Sequence, residues 1–407
     1  MRILILTQWF DPEPTFKGMF FAKALQNAGH EVEVITGFPN YPGGKLYPGY
    51  KLKWLQKEIV DGVKITRVPL YPSHDQSAKK RIANYISFAF TSTLYGVFGA
   101  EKADVIYVYH PPITVGLAGA IVGILRRTPF VYDVQDLWPD TLRASGMLTN
   151  RRILSVVNKA CNWVYKKASH IVVLSPGFKK KLIEKGVPER KLSVIFNWCD
   201  ESSLLKDSSK EETILPRGFN VVFAGNMGPA QALDVVLNAG QLLLVSNPQV
   251  NLVMVGGGLD VDRLKKEATS RNLSNIHFIS RMAIDEIGKV LTEADALLVH
   301  LKDDELFSIT IPSKTQAYLA KSRPIIMAVK GDAANLVNEA QAGICIEPEN
   351  PEQLSWAVSQ LVGMSADARI QLGKNAAEFY QTTLALQVGM KHFLDIFDDV
   401  IIRYKEI

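Results

Sequence analysis

The feature that most constrains this chain is a rhythm that runs its course twice. In the first half, residues 2–7, 31–36, 104–109, 129–133 and 170–174 are short β-branched, apolar runs that read as strands. Residues 59–69 (IVDGVKITRVP) read as a further strand or hairpin. Helix-patterned stretches lie between them; the first, 19–27, stops at Gly29, a residue suited to ending a helix. After a polar stretch, 201–218 (ESSLLKDSSKEETILPRG), which reads as an interdomain linker, the alternation restarts. Strands are expected at 220–224, 250–255, 276–279, 296–300, 324–328 and 343–346, and helices at 232–244, 261–271 and 284–294. Strand–helix–strand alternation specifies mostly parallel sheets covered on both faces, because parallel neighbours need a crossover between them. The fold class is therefore α/β, with two doubly wound, Rossmann-like domains. Their expected bounds are 1–200 and 201–385, with a ligand cleft at the carboxyl ends of the strands, and a helix over 386–407 that packs back on the first domain.

Composition excludes several alternatives. At 47% hydrophobic and 21% charged, the 407 residues are ordinary globular protein, in keeping with two domains. Three scattered cysteines, Cys161, Cys199 and Cys345, offer no disulfide framework or zinc spacing and point to a reducing compartment. The opening MRILILTQWFDPEP reads as a first strand rather than a secretion signal. No stretch has the length of a membrane span; 85–100 (YISFAFTSTLYGVFGA) comes nearest, and 113–125 reads as a buried helix. The net charge of +5 hides an asymmetry: residues 1–200 carry 27 Lys+Arg against 15 Asp+Glu, and the remainder 19 against 26. A basic half implies an anionic partner, with nucleic acid and a membrane surface as the two candidates.

Four motifs carry possible chemistry. Gly18 opens a helix after the first strand, where unpaired N–H groups suit a phosphate, although an ordinary strand-to-helix turn explains it equally well. The turns at Gly225-Asn226-Met227-Gly228 and Gly256-Gly257-Gly258 allow close backbone approach, but neither is a dinucleotide fingerprint or a P-loop. Thr310, Ser313 and Lys314 in SITIPSKTQ bring two hydroxyls and a cation to a helix start, a set suited to diphosphate oxygens. Asp136 and Trp138 in DVQDLWPD, and His110 in HPP, end neighbouring strands and are candidates for acid–base work; Pro139 favours an extended Trp138 that projects from its loop. The pair Asp260 and Asp262 sits in a helix first turn, where acids complement the dipole, so no metal site is expected there.

With those residues in view, FAGNMGPAQALD, VGGG and TIPSKTQAYLA resemble the nucleotide-sugar half of GT-B glycosyltransferases of family 4. The first-half motifs GFPNYPGG and DVQDLWPD resemble the branch that moves N-acetyl-L-fucosamine or a related 6-deoxy or N-acetylated sugar in bacterial O-antigen and capsule synthesis. The resemblance covers essentially the whole chain. It implies a UDP-sugar donor with its uracil near 280–282, its ribose near the TIPSK helix, and its diphosphate among Gly18, Arg281 and Lys314, with Lys17, Gly225 and Asn226 nearby. It also implies an acceptor saccharide on a polyprenyl diphosphate lipid, a peripheral location on the inner face of the plasma membrane, and neither a metal nor another cofactor. Departures are visible: the family's paired glutamates align with Ile309 and Ala317, leaving Gln316 as the nearest polar residue for the ribose. Its cationic pair aligns with Asn226 and Gln231, and its sugar-side histidine with Gln135. The family generally retains anomeric configuration; an inverting reaction would take Asp136 or His110 as base. Membrane contact is expected from Trp54 in its basic, aromatic stretch (Lys45, Lys51, Lys53, Lys57) and from Lys79, Lys80 and Arg81, which lead into 85–100. A UDP-sugar epimerase and a nucleic-acid binder are the alternatives, and no nucleic-acid module is visible.

Overall fold

Strand β1, Arg2–Thr7, is apolar at nearly every position because it is paired on both edges and covered on both faces. The structure, a computed structural model, describes residues 1–73, 78–144, 148, 150–204 and 214–406. Its chain forms two units: unit 1 comprises Met1–Ile195 with Met390–Ile407, and unit 2 comprises Phe196–Gly389.

Unit 1 holds β1, β2 (Glu31–Gly37), β3 (Gln56–Val60), β4 (Val63–Val68), β5 (Val105–Tyr109), β6 (Phe130–Val134), β7 (His170–Val173) and β8 (Leu192–Val194). They lie in the order β3-β4-β2-β1-β5-β6-β7-β8. Only β3 runs antiparallel. The 59–69 stretch is thus part of a hairpin, closed by Asp61 and Gly62 with φ of 49° and 86°, the left-handed pair that a two-residue turn requires. The helix Leu386–Lys405 contributes Phe393 to this unit, edge-on to Phe21 and Tyr107 at 5.3 and 5.4 Å.

Unit 2 holds β9 (Phe219–Asn226), β10 (Val250–Gly257), β11 (Ile276–Ser280), β12 (Ala296–His300), β13 (Ile325–Ala328) and β14 (Gly343–Cys345). All are parallel, in the order β11-β10-β9-β12-β13-β14. This is the doubly wound order, which reverses between β9 and β12 and opens a ligand crevice at their carboxyl ends. Two cores sandwich the sheet, and the strand period of two divides side chains between them. Phe223, Met254 and Leu298 enter one core; Val222, Val253 and Leu297 enter the other. The 201–218 stretch is not wholly linker: Glu201–Leu204 is a helical turn, residues 205–213 lie outside the described residues, and Phe219 already belongs to β9.

The 85–100 segment is part of a 21-residue helix, Ala78–Phe98. It is neither fully buried nor a span. Tyr85, Phe88 and Ser92 face the core, while Ile82, Ile86, Phe90, Leu94 and Phe98 are exposed. Among the described residues no helix is long and apolar enough to cross a membrane.

Candidate active site

In unit 2 the two glycine turns lock together. Gly225 and Gly256 both have φ of 139°, a conformation that side chains disfavour. A Cβ on Gly256 would lie 2.0 Å from the Gly225 carbonyl oxygen, and one on Gly258 would lie 2.2 Å from that of Met227. Backbone bonds complete the clasp: Met227 N donates to Gly257 O at 2.8 Å, and Asp260 N to Met227 O at 3.0 Å. The result is an exposed backbone ledge at Gly225 and Asn226, at the switch point of the sheet.

The helix Ser313–Ala320 meets this ledge. Its Tyr318, buried, accepts from Ala224 N at 2.8 Å and pins the helix to the end of β9. One turn earlier, Lys314 lays its ammonium 3.5 Å over the Phe223 ring, and a Cβ on Gly225 would be 3.4 Å from its Nζ. That Nζ is covered and has no hydrogen-bond partner among the described residues. Burial pushes the amine down to about 7. A covered cation without an anion is costly, and it is the arrangement that a bound anion would complete. Ser313 is exposed beside it, and Thr310 donates its hydroxyl to Leu306 O at 2.8 Å. Arg281 is exposed just past the end of β11.

Several expected donor residues are engaged elsewhere. Gln316 is buried, and with its nitrogen turned toward Pro312 O and Ser313 O it donates at 2.9 and 3.1 Å, so the amide faces its own helix start rather than a ribose. Asn226 donates to Gln231 Oε1 at 3.3 Å, and Gly228 N to the same oxygen at 3.1 Å, which makes the aligned cationic pair a neutral amide pair. In unit 1, the seat at Gly18 is already filled: Met19 N donates to Asp11 Oδ2 at 2.6 Å, and a Cβ on Gly18 would strike that oxygen. Lys17 is fully buried against Asp133 at 3.2 Å. Its charge is matched inside the protein, so it acts as a strut rather than a free cation. Asp133 also receives the Tyr107 hydroxyl at 2.5 Å.

The carboxyl ends of the unit 1 strands gather a second cluster. Asp136 follows β6, and burial pushes its carboxyl up to about 6. His110 follows β5; it is 1% exposed, and burial pushes it down to about 3. An imidazole that resists protonation this strongly is a poor general base, whereas a carboxylate near 6 is ionised at neutral pH and basic enough to take a proton. Burial therefore separates the two base candidates in favour of Asp136. Trp138 does not project: it is half-buried, with its ring 5.8 Å from His110 and 6.3 Å from Tyr85. Arg81 differs from exposed Lys79 and Lys80, since its Nε is covered without a hydrogen-bond partner. Trp54 is 77% exposed, among exposed Lys51, Leu52, Lys53 and Leu55.

Sequence reasoning passed over Glu13. Buried between two prolines, it accepts from Asn40 N and Tyr41 N at 2.7 Å each and from Phe10 N at 3.3 Å, and burial pushes it up to about 7. It ties the loop after β1 to the loop after β2. Tyr318 was also missed, although its place one turn after Lys314 on the same helix face is a usable signal. Asp262 lies exposed in the first turn of the helix Val261–Ser270, and Asp260 faces Arg263 at 3.7 Å. Among the described residues no three His, Cys, Asp or Glu side chains gather as a metal site.

Comparison with known proteins assigns both halves. Residues 21–198 match the glycosyl transferase 4-like domain, and residues 206–379 match the glycosyl transferases group 1 domain. A protein of Escherichia coli K12 that carries the name of a colanic acid biosynthesis glycosyl transferase, WcaI, is 25% identical over 97% of this chain and 99% of its own. Among solved structures, Anabaena HepE in complex with UDP and glucose shares the fold with a TM-score of 0.70 at 17% identity, over 98% of this chain and 99% of that one. A trehalose 6-phosphate synthase from Burkholderia multivorans superposes with a TM-score of 0.71 at 10% identity, over 99% and 97% of the two chains. With a glycosyltransferase domain matched in each half and a mostly parallel doubly wound sheet in each unit, the chain is a GT-B glycosyltransferase of the family 4 and group 1 type.

Proposed function

We propose that this glycosyltransferase moves a sugar, N-acetyl-L-fucosamine or a related N-acetylated or 6-deoxy sugar, from UDP to a polyprenyl-diphosphate-linked saccharide in bacterial surface polysaccharide synthesis. The observation that carries the donor half is Lys314: a covered ammonium without a hydrogen-bond partner among the described residues, set against the open Gly225 ledge. A UDP diphosphate supplies the missing anion. As the sugar departs, charge grows on that diphosphate, and a preorganised cation in a covered site stabilises it. Arg281, Ser313 and Thr310 are further donor-side candidates. HepE, solved with UDP and glucose, supports the nucleotide, and the WcaI name supports the polysaccharide. On the acceptor side, Asp136 takes the proton of the attacking hydroxyl. In this reading no metal ion is needed.

The lipid half of the reading rests on one face of unit 1. The exposed residues of the 78–98 helix, Ile82, Ile86, Phe90, Leu94 and Phe98, recur every four positions and form a single stripe. The neighbouring helix Ile113–Arg126 adds exposed Ile121, Ile124 and Leu125, and the helix beyond it, Arg151–Lys167, adds Ile153, Val156 and Trp163. The three helices contain nine Lys and Arg and no acidic residue. Apolar side chains in line with cations fit the headgroup layer of an anionic leaflet, each cation contributing about 1 kcal/mol near the surface. This face supports a peripheral position on the inner leaflet, where a lipid-borne acceptor would be reached.

The test is a screen of UDP- and GDP-sugars against lipid-linked N-acetylglucosamine, following nucleotide release and product. Acceptor-dependent UDP release supports the proposal. Conversion of a UDP-sugar without acceptor would make the chain an epimerase, and release from GDP-sugars alone would overturn the nucleotide assignment.

A further inference from the structure

Four aromatic side chains from separate stretches of unit 1 form two pairs, one of which includes Trp138 of the loop that carries Asp136. Trp9 follows β1, Tyr41 follows β2, Tyr85 lies on the inner face of the 78–98 helix, and Trp138 follows β6. Trp9 and Tyr41 stack at 4.5 Å with 26° between their planes, yet both remain half-buried. Tyr85 and Trp138 form a second pair at 6.3 Å. Trp138 lies two positions after Asp136, and burial with the Asp136 charge raises both the Tyr41 and Tyr85 hydroxyls, so one ring of each pair lies within electrostatic reach of that carboxyl.

The placement of these rings is held by buried polar groups that a plain apolar core would not need. Gln8 Nε2 donates to Asn84 Oδ1 at 2.5 Å, and Asn84 Nδ2 donates to Asn40 Oδ1 at 3.2 Å. This amide relay joins the residue before Trp9, the residue before Tyr41 and the residue before Tyr85. Glu13 adds its two bonds to Asn40 N and Tyr41 N, and the Tyr47 hydroxyl donates to Tyr41 O at 2.7 Å. Burying three primary amides and a carboxyl is unfavourable unless they are paired; these bonds pair them except at Gln8 Oε1, which is covered without a partner among the described residues, and so favour one geometry. A site held in this way is preorganised for a ligand.

Chemistry selects the ligand class. A pyranose has an apolar face of C–H groups and a rim of hydroxyls. It needs a flat aromatic surface for the face and a polar group for the rim, and the cluster offers both. We propose that Trp9, Tyr41, Tyr85 and Trp138 are the acceptor's sugar platform, on which the terminal pyranose stacks against the Trp9–Tyr41 pair with its reacting hydroxyl at Asp136. The proposal rests on the glycosyltransferase reading above and assigns its acceptor subsite to residues of unit 1. The 78–98 helix links the two roles, since its inner face supplies Asn84 and Tyr85 and its outer face carries the lipid-facing stripe.

The experiment titrates citronellyl-diphosphoryl-N-acetylglucosamine, a soluble single-sugar acceptor, into the full chain by calorimetry. Saturation-transfer NMR identifies which sugar protons touch the protein. Trp9→Leu and Tyr41→Leu, shown to be folded by near-UV circular dichroism, are expected to weaken binding about fivefold to tenfold each. The ring-retaining Tyr41→Phe and Trp9→Phe are expected to restore it to within about twofold. Saturation transfer should concentrate on the C–H protons of one pyranose face. Folded leucine variants that bind the probe as tightly as the unmutated chain would overturn the platform. Transfer confined to the prenyl chain would overturn it as well, as would no saturable binding to the unmutated chain. UDP affinity, measured on the same samples, reports the donor reading by itself, so the two failures are distinguishable.

Discussion

Lys314→Met should make the protein more stable and worse at binding UDP, and this opposition of signs is the sharpest test of the donor site. Burial lowers the Lys314 amine from 10.5 to about 7. The folded value lies below the unfolded one, so the penalty is full below about pH 7, shrinks as pH rises, and is gone above the unfolded value. At 1.36 kcal/mol per unit, the cost at pH 7.5 is on the order of 4 kcal/mol. Methionine keeps the length of the stem and removes that cost. It also removes the contact of Nζ with the Phe223 ring, worth about 0.5–2 kcal/mol. A net gain of roughly 2 kcal/mol follows, which in a unit of this size raises Tm by about 4–8 °C. UDP loses a charge-assisted contact worth about 1.5–3 kcal/mol, so its Kd should rise roughly tenfold to 150-fold. In the unmutated chain UDP affinity should also fall as pH rises above about 7, because binding requires the protonated amine; the methionine variant should lose that slope. The assays are differential scanning calorimetry without ligand and titration calorimetry with UDP. A variant that melts lower and binds UDP unchanged would show that Lys314 is structural, and the donor placement would fall.

Asp136→Asn should reduce turnover about 10²–10⁴-fold, and kcat/KM of the unmutated enzyme should fall below about pH 6, as the carboxyl raised to about 6 becomes protonated, and again above about pH 7, as the Lys314 amine loses its proton; a profile without the acid limb, or an active Asn variant, would exclude Asp136 as the base. Charge introduced into the apolar stripe, as in Phe90→Asp with Phe98→Asp, should abolish sedimentation with anionic liposomes, while high salt should release the unmutated chain; equal binding to neutral vesicles would assign the attachment to insertion alone. Activity should survive EDTA, and Asp260→Asn with Asp262→Asn should match the unmutated enzyme, because the proposed counter-charge is Lys314; loss with EDTA that Mn²⁺ restores would overturn the metal-free reading. Tyr318→Phe removes the hydroxyl that accepts from Ala224 N, so UDP affinity should drop by about 1 kcal/mol with little change in fold by circular dichroism; an unchanged UDP titration would separate the helix anchor from donor binding.

The alternation of strand and helix, the two glycine turns and the Thr310–Lys314 motif were all legible in the sequence. Each depends on local rules: side-chain period, the need for crossovers between parallel strands, and the conformations open to glycine. Those rules act over a few residues, so a single chain displays them. The roles of Lys17 and Lys314 show where such rules stop. Both are lysines beside a helix start near a strand end, and both looked like diphosphate ligands. Tertiary packing set Lys17 against Asp133, 116 positions away in sequence, and left Lys314 over Phe223 with no hydrogen-bond partner among the described residues. The same holds for Gly18, whose anion seat is taken by Asp11, and for Asp136 and His110, which local context could not separate. What divided that pair was burial: desolvation disfavours the charged form of each, which makes the carboxylate a better base and the imidazole a worse one. Desolvation is set by every neighbour that excludes water, and those neighbours come from distant parts of the chain. Sequence therefore determined the fold class and the kinds of chemistry present; only the tertiary structure decided which charges are spent inside the protein and which are left for a ligand.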